Sequence, residues 1–466
     1  MSLFVKDRKF YRALLTLAAP TFLQNIFSIF GNLINTLMLA KMGEVAYAAS
    51  SLATQPFTFL TMFTNGIASG AMVLASQYWG KQDLGSIRKI ADLAIKINLL
   101  SALAFVAVSV SIPEFILSFY TDEADVIRLG AEYMRIIAFS YFATSFTNAY
   151  INLLRSVEVV KIAFVVVTVS SLLNVFLNWV LIFGKFGFPQ LGILGAALST
   201  LLCKALELTI SVVYLQFYDK KLRLSVRDIF RLDTTFLKDI FKCSSIVVAK
   251  NMLLAVNMSI DASIWGKMGA QVVSANSMVS TLQSVSSVLT MSMISAVSVL
   301  IGKSVGEQNV QRTMERARTI KYLTFCNGLI SAVIVLSARP YVRHFYEFAP
   351  ETEQLSEEMM LVLCFIVFFQ SFAATGLCIL QSGGDLKGSF AIEIIGRLGF
   401  AIPLELLAGR VLHLHPCWVL ALMRTDELVK FILCVIRTRK PGWIRDITRT
   451  SPQKQGDESD IPNPQK

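Results

Sequence analysis

Charged residues are scarce in this chain of 466 residues, where Asp, Glu, Lys and Arg together make up 16%. Ordinary soluble domains carry about a quarter. Hydrophobic residues account for 54% of the chain, and the mean hydropathy is +0.59. Because so apolar a chain has too few polar residues to cover several soluble cores, the composition excludes a soluble multidomain protein.

Cysteine pairs and histidine clusters are also lacking. The seven cysteines form no CxxC motif and mostly fall inside apolar runs, so they indicate neither a disulfide framework nor a zinc site. His413 and His415 occupy a predicted outer loop without an acidic cluster, where we expect them to be solvated. Gly302–Ser304 resembles the end of a phosphate-binding loop, but Val297 stands where that motif needs its first glycine. We therefore expect neither an enzyme nor a bound cofactor.

Long apolar runs are what the sequence has in abundance. Each of twelve such runs can cross a hydrocarbon core about 30 Å thick as a helix, and the lack of strict alternation argues against a β-barrel. The predicted fold class is an all-α polytopic membrane protein with twelve transmembrane helices. The runs lie near residues 13–40, 45–75, 92–112, 128–152, 160–184, 191–216, 241–266, 272–301, 318–338, 358–381, 388–408 and 411–436.

The 43 Lys and Arg residues outnumber the 32 Asp and Glu residues, which gives a net charge of +11. Most of these cations lie in one alternating set of gaps, which includes residues 1–12, 76–91 and 217–242. Because Lys and Arg favour the cytoplasmic side and the number of spans is even, we predict that both termini are cytoplasmic. The cations then set orientation, and we expect no nucleic-acid partner. We expect a multi-pass monomer surrounded by lipid in the plasma (inner) membrane.

The chain aligns with itself at an offset of 226 residues. Gly43 then falls on Gly269, and Gly80 falls on Gly306. Chance matching of apolar residues would not keep hydrophilic loops in one register, so we predict two homologous six-helix lobes. The same offset pairs Phe119-Tyr120 with Phe345-Tyr346, Ser145-Phe146 with Ser371-Phe372, and Leu154-Arg155-Ser156 with Leu380-Gln381-Ser382.

The repeat divides the chain into an N-terminal lobe (1–216), a basic cytoplasmic linker (217–241), a C-terminal lobe (242–436) and a partly disordered cytoplasmic tail (437–466). Six is even, so both lobes enter the membrane from the same side and are related by an axis along its normal. Repeated lobes place a cavity at their interface, which alternating access can open to either side. The architecture favours transport, although duplication also builds channels and inert scaffolds.

Polar residues recur at helical spacing in several runs. In the first run Gln24, Ser28, Asn32 and Asn35 are three or four residues apart and share one face. The second and eighth runs carry comparable stripes of small polar residues. Such a stripe either lines a hydrated cavity or joins neighbouring helices through hydrogen bonds, and both interpretations stay open.

Charged residues inside spans are costly and need a reason. Lys204 stands three residues before Glu207, and Glu393 four residues before Arg397, so each pair can form along its own helix. The twelfth run supplies both signs within residues 424–430. For these groups we favour structural pairing.

Asp261 differs, because its own helix offers no opposite charge within a turn. Asn257 stands on the same face one turn earlier. Asp261 is a candidate proton carrier, or a hydrated residue near the interface without a function. Lys250 shares the face, but eleven residues span about 16 Å of helix, so the two cannot touch. Lys250 either binds an anionic substrate group or pairs with an acid of another helix.

Five stretches carry a resemblance to a known family. They are Pro20 with the segment Asn32–Gly43, then Ser76–Gly80, then Asn174–Gly184 running on into Pro189–Thr200, and finally Arg439–Trp443. The chain resembles the MATE (multidrug and toxic compound extrusion) transporters over nearly its whole length. The resemblance implies twelve helices in two lobes, a cavity between them, and export of amphipathic, often cationic compounds in exchange for Na⁺ or H⁺.

The resemblance also implies site residues. Tyr133, Asn174 and Thr200 match cavity positions of the family's N-terminal lobe. The family's acids are missing, because its proton-coupled members have Asp where this chain has Asn35 and Asn178. Its sodium-coupled members have Asp where we align Gln370.

The repeat offset suggests where a coupling acid stands instead. It places Asp261 of the C-terminal lobe opposite Asn35 of the N-terminal lobe. We therefore hypothesise that Asp261 carries the coupling ion, whether Na⁺ or H⁺, or that neutral oxygen ligands do so.

The predicted function is secondary active export of small amphipathic or cationic compounds by antiport. Two alternatives stay open. A flippase for a lipid-linked glycan would share the architecture but should have a strongly cationic central cavity, for which Lys250, Lys204 and Arg397 are the candidates. A non-transporting membrane sensor or scaffold would explain the missing acids.

Overall fold

The structure, a computed structural model, describes residue 5 and residues 7–219, 221–222, 233–342, 349–412 and 414–449. Most of the predicted linker, the predicted tail beyond 449, His413 and the Phe345-Tyr346 pair of the repeat lie outside these residues. The described part contains no strand and seventeen α-helices.

The first half of the chain contains nine of these helices, and the second half contains eight. The first nine are α1 (Arg8–Ala40), α2 (Glu44–Ala53), α3 (Gln55–Gly80), α4 (Leu84–Ser111), α5 (Pro113–Ser118), α6 (Ala124–Ala138), α7 (Ser140–Ser156), α8 (Lys161–Phe183) and α9 (Gly192–Val213). The second group is α10 (Leu237–Lys267), α11 (Ala270–Gly306), α12 (Val310–Val342), α13 (Pro350–Ser382), α14 (Leu386–Ile394), α15 (Ile402–Leu406), α16 (Pro416–Met423) and α17 (Thr425–Arg437).

These helices make twelve crossings, which confirms the predicted fold class. In the described residues, nine helical stretches are each long and apolar enough to cross a membrane. The other three crossings are interrupted helices: α6 with α7, α14 with α15, and α16 with α17. Two π-helical segments, Ile395–Ala401 and Leu407–Val411, interrupt the eleventh crossing. Interruptions of this kind are frequent at functional sites.

The two halves meet in a seam where corresponding helices of the repeat make corresponding contacts. Helix α1 packs against α11, and its counterpart α10 packs against α3. Between them α3 and α11, which are also counterparts, contact each other directly. The start of each half's first helix joins the core of the other half: Phe10 packs with Val297, and Ile240 packs with Ala71.

Glycines allow α3 and α11 to touch at the side of the molecule where the described residues begin and end, called the terminal side below. A Cβ on Gly306 would overlap the carbonyl oxygen of Gln77, and a Cβ on Gly80 would overlap that of Lys303. One turn earlier, a Cβ on Gly302 would overlap the Ser76 hydroxyl. The backbones are therefore in contact, and the seam has no room for a substrate at this side.

The segment Ile444–Arg449, called the C-terminal strap below, crosses the closed end of the seam. It begins in the second half beside Trp443, which is buried, and ends over the start of α10. Lys81 at the end of α3 forms an ion pair with Asp446 of the strap at 2.7 Å. Two backbone N–H groups of the strap donate across the seam, Ile447 to Gln77 Oε1 and Arg449 to Tyr78 Oη, both at 2.9 Å. Arg445 N–H donates within the second half, to the Gly383 carbonyl at 2.7 Å.

The opposite side of the seam is open. In α1 the buried residues belong to the half that lies toward the terminal side, from Phe10 to Thr21. Toward the other end none of residues 31–39 is buried, and the polar Asn32 and Thr36 are exposed. A Cβ on Gly43 or Gly269, at the far ends of this side, would meet no atom within 4 Å. The lobes therefore diverge from the terminal side outward.

Candidate functional site

A polar cavity of about 590 Å³ lies in the first half, between α1, α7, α8 and α9, with α11 at its rim. Its volume falls in the range of small-molecule sites. Five residues that the sequence analysis assigned to the site line it: Asn32, Asn35, Tyr133, Asn174 and Thr200. Further lining residues are Gln24, Asn25, Phe57, Ile137, Asn148, Ile151, Asn152, Arg155, Val167, Lys204, Glu207 and Met291.

Three asparagines form a closed hydrogen-bonded ring at the wall of this cavity. Asn35 Nδ2 donates to Asn174 Oδ1, and Asn178 Nδ2 donates to Asn35 Oδ1, both at 2.6 Å. Asn178 also donates to Asn174 Oδ1 at 3.3 Å and accepts from Ser199 Oγ. The ring is neutral and its amides hydrogen-bond to one another. Together with Ser199 it therefore holds α1, α8 and α9 together.

Asp261 lies elsewhere, in the second half, and it has ionic and polar partners. Asn257 Nδ2 donates to Asp261 Oδ1 at 2.9 Å, as the spacing along α10 suggested. Arg424, at the break between α16 and α17, places Nη2 3.6 Å from Asp261 Oδ2. The sequence analysis looked for an opposite charge on the same helix, and the structure supplies it from another.

Glu405 of α15 completes this group, which we call the outer acid cluster: Asp261, Asn257, Glu405 and Arg424. The Asp261 carboxyl lies within hydrogen-bonding reach of Glu405, and both Glu405 oxygens are buried with no donor in the part of the chain that the structure describes. Two carboxylates that face each other need a proton or a cation between them. Sequence reasoning missed Glu405, although an acid in the apolar eleventh run was the available signal.

A second ionic network lies closer to the terminal side, and we call it the inner network. Its hub is Lys430, 3.4 Å from Glu393, 2.8 Å from Asp426 and 3.3 Å from Glu427. Arg397 bridges the same helices, 2.7 Å from Glu393 and 3.5 Å from Asp426. The predicted pairing within α14 to α17 is present, but it is one network across two crossings.

Lys250 joins the inner network from α10. Its Nζ lies 3.9 Å from Glu393 Oε2, so Lys250 pairs with an acid of another helix, one of the two predicted possibilities. Gln370 of α13 accepts a hydrogen bond from Gln283 of α11 at 3.3 Å, within the second half. The sequence-predicted site residues thus divide between the cavity of the first half and the ionic groups of the second.

One group of described residues has the ligand types and spacing of a metal site. Glu358, His415 and Cys417 hold ligand atoms within 4.8 Å of one another at the open side. Zn²⁺ accepts such nitrogen, sulfur and oxygen ligands. We expected a solvated His415, and its neighbour Glu358 was missed because it stands 59 residues before Cys417.

Fold and cavity together define a polytopic membrane protein of the transporter class. The sequence profile of the MatE family matches residues 20–180 and matches again over residues 247–407. The chain therefore belongs to the MatE family of multidrug efflux transporters, and it contains two copies of the family's repeat. Both matches follow the internal repeat that the sequence predicted.

Known relatives cover nearly the whole chain. An uncharacterized transporter of Bacillus subtilis, YisQ, is 23% identical over 437 residues, 93% of this chain and 95% of the relative. A probable multidrug resistance protein of the same organism, YoeA, is 22% identical and covers 87% and 88%. A solved outward-facing MATE transporter superposes with a TM-score of 0.84 at 17% identity, over 94% and 99% of the two chains.

Proposed function

We propose that this protein is a secondary active exporter of small amphipathic compounds in the plasma membrane. The observation that carries the proposal is a seam closed by backbone contact at Gly80 and Gly306 on the terminal side and open on the other. A two-lobe membrane protein with such a seam fits alternating access. The cation distribution supports cytoplasmic termini, so the structure corresponds to an outward-facing state.

The cavity supplies the substrate site of this proposal. Asn, Gln, Ser and Thr side chains line it together with Phe57, Tyr133 and Met291, which offers both hydrogen bonds and apolar contacts. The cavity does not favour cationic substrates. Glu207 is the one acid among the described lining residues, and it is already paired with Lys204 at 2.8 Å.

We place the coupling ion in the outer acid cluster and favour a proton. Glu405 has no donor among the described residues, and a proton held between Glu405 and Asp261 would supply one. The Arg424 guanidinium beside Asp261 disfavours Na⁺ there because like charges repel. The asparagine ring offers no group that gains or loses a proton near neutral pH.

The same cluster connects ion binding to lobe movement. A proton on the carboxyl pair weakens the attraction between Asp261 and Arg424, which joins α10 to the break between α16 and α17. Helix α10 crosses the seam and packs against α3. A change in the position of α10 therefore acts on the contact that closes the terminal side.

The test is dye efflux from proteoliposomes under separately imposed H⁺ and Na⁺ gradients. We expect a proton gradient to drive efflux of a rhodamine dye, and Asp261→Asn to abolish the driven part while dye binding persists. Asp125→Asn is the matched control, because the Asp125 side chain is 81% exposed. Proton-driven efflux that survives unchanged in Asp261→Asn would refute coupling by Asp261. Efflux driven by the Na⁺ gradient would refute the proton as the coupling ion.

The two alternatives make different predictions. A glycan flippase needs a strongly cationic central cavity, but Lys204, Lys250 and Arg397 each bind an acid. A sensor or scaffold predicts no dye flux under either gradient, so a null result in the same assay would favour it over export.

A further inference from the structure

Among the described residues, the lining of the first-half cavity includes one cation that no carboxylate neutralises. Arg155 stands in the last turn of α7, and its side chain lines the cavity. Its Nη2 donates to Gln24 Oε1 of α1 at 3.0 Å, while its Nε is buried and has no partner among the described residues. An arginine with a buried, unpartnered donor and no anion beside it is costly in a membrane protein.

The remaining charges of the cavity cancel each other. Lys204 and Glu207 stand three residues apart on α9 and form an ion pair, so they add no net charge to the cavity wall. Arg155 therefore leaves the described lining with a net positive charge. Nearby, Asn148 and Asn152 lie on the same face of α7 as Arg155, at four- and three-residue steps.

In the second half, buried cations with a structural role are paired with acids. Arg397 contacts two carboxylates and Lys430 contacts three, all of them buried. Arg155 faces a cavity instead, and the repeat places neutral Gln381 at its counterpart position. If Arg155 had only a structural role, we would expect a cation at the counterpart position of the second lobe as well.

We propose that Arg155 is the binding site for an anionic group of the transported compound, so that the substrates are amphipathic molecules that carry a carboxylate. The proposal rests on the proposed export function and replaces the cationic substrate class that was predicted from the sequence. The planar guanidinium offers a fork of donors that matches a carboxylate, and the Arg155 side chain lines the cavity while its Nη2 donates to a neutral amide oxygen. The body of the substrate then contacts Ile151, Val167 and Phe57.

Two dyes that differ in one group test the proposal. Tetramethylrhodamine with a free carboxylate and its methyl ester are titrated against purified protein in nanodiscs, without a gradient, by fluorescence polarisation. We expect the free acid to bind about tenfold more tightly than the ester, which is typical of one charge-assisted contact. Arg155→Gln should remove that preference by weakening the acid alone, Arg155→Lys should keep part of it, and Arg128→Gln, on the surface, should keep all of it.

Equal binding of acid and ester to the unaltered protein, or a preference that survives in Arg155→Gln, overturns the proposal. A second measurement decides the matter if neither dye binds. A cysteine is introduced as Asn148→Cys with Cys203→Ala, and its reaction rates with anionic and cationic methanethiosulfonates are compared. The anionic reagent should be favoured, and Arg155→Gln should lower the rate ratio severalfold; an unchanged ratio overturns the proposal.

This test separates the two proposals. Dye binding is measured at equilibrium and needs no ion gradient, whereas the export function is tested by gradient-driven flux. If gradient-driven flux is absent but the acid is still preferred, the export function is refuted and Arg155 remains an anion site. If gradient-driven flux occurs without a preference for the acid, export is supported and the anion site is refuted.

Discussion

Gly80 and Gly306 touch each other across the seam, although they stand 226 residues apart and each occupies the same place in its own half. Residues related by a two-fold axis can meet only where that axis passes between them. The contact therefore marks the pseudo-symmetry axis at the terminal side. It also shows that this side is closed by backbone against backbone, which a single methyl group would disturb.

The first prediction concerns this contact. Gly306→Ala places a Cβ where the Gln77 carbonyl oxygen stands, so the closed terminal side loses stability. Overpacking costs about 1–3 kcal/mol, which shifts a two-state ratio roughly 5- to 150-fold. Spin labels at Lys41→Cys and Lys267→Cys should show a larger population with short distances. The same change at Gly266, which has no neighbour within 4 Å, should leave the distances unchanged.

The second prediction concerns the C-terminal strap. Lys81→Ala removes the ion pair with Asp446, so the strap should detach more often, and trypsin should cleave at Arg445 and Arg449 about two to five times faster. Lys89→Ala, which removes a pair outside the strap, is the control. A cleavage rate equal to that of the unaltered protein would show that the backbone hydrogen bonds and the ion pairs of Arg445 and Arg449 hold the strap without Lys81.

The third prediction gives the pH dependence of the strap. Burial acts to raise the pKa of Asp446, but hydrogen bonds from Lys81, Thr448 and Gln308 outweigh it and hold the pKa below 3.8. A lowered pKa means that the strap gains stability above pH 3.8 and loses it as the pH falls through the lowered value. Measured against pepsin's own activity on an unstructured peptide at each pH, cleavage of the strap should therefore accelerate only below about pH 4. In Asp446→Asn this acceleration should disappear.

The fourth prediction concerns the asparagine ring. Asn178→Ala removes two donated bonds and leaves the Asn35 oxygen without its donor, which should lower the free energy of unfolding by about 1 kcal/mol. Because the ring is neutral, the ratio of proton-driven to undriven efflux should stay constant. A ratio that falls to one would place coupling in the ring and contradict the role of Asp261.

The fifth prediction concerns the hub of the inner network. Lys430→Met leaves Glu393, Asp426 and Glu427 with one cation fewer, and unfolding in detergent should become easier by about 3–5 kcal/mol. Adding Glu427→Gln should restore part of the loss, since it removes one of the unpaired charges. Lys185→Met, at an exposed position, is the control. No rescue by Glu427→Gln would mean that Lys430 acts through packing.

The helices and the repeat follow from local features of the sequence. Apolar length predicts each crossing by itself, and the glycine-containing loops keep their register without any knowledge of contacts. The three interrupted crossings were less regular in sequence, since they carry Arg135, Arg397 or Arg424 within them. Arg397 and Arg424 pair with acids of other helices, and periodicity does not reveal such partners.

The site divides in the same way. Polar stripes and the family resemblance placed Asn32, Asn35, Asn174 and Thr200 at a cavity, because residues three or four apart share a helix face. The partners of Asp261 could not be found from spacing along one helix. Glu405 and Arg424 reach it from two other helices, more than a hundred residues away along the chain.

By itself the sequence determined the membrane environment, the number of crossings, the duplication and the loss of the usual acids at Asn35 and Asn178. Those properties depend on composition and on spacing along one chain. Only the tertiary structure decided which charges are neutralised, since an ion pair depends on distances of a few ångströms between helices. It paired Lys250 with Glu393, joined Asp261 to Arg424, and left Arg155 facing the cavity without an acid.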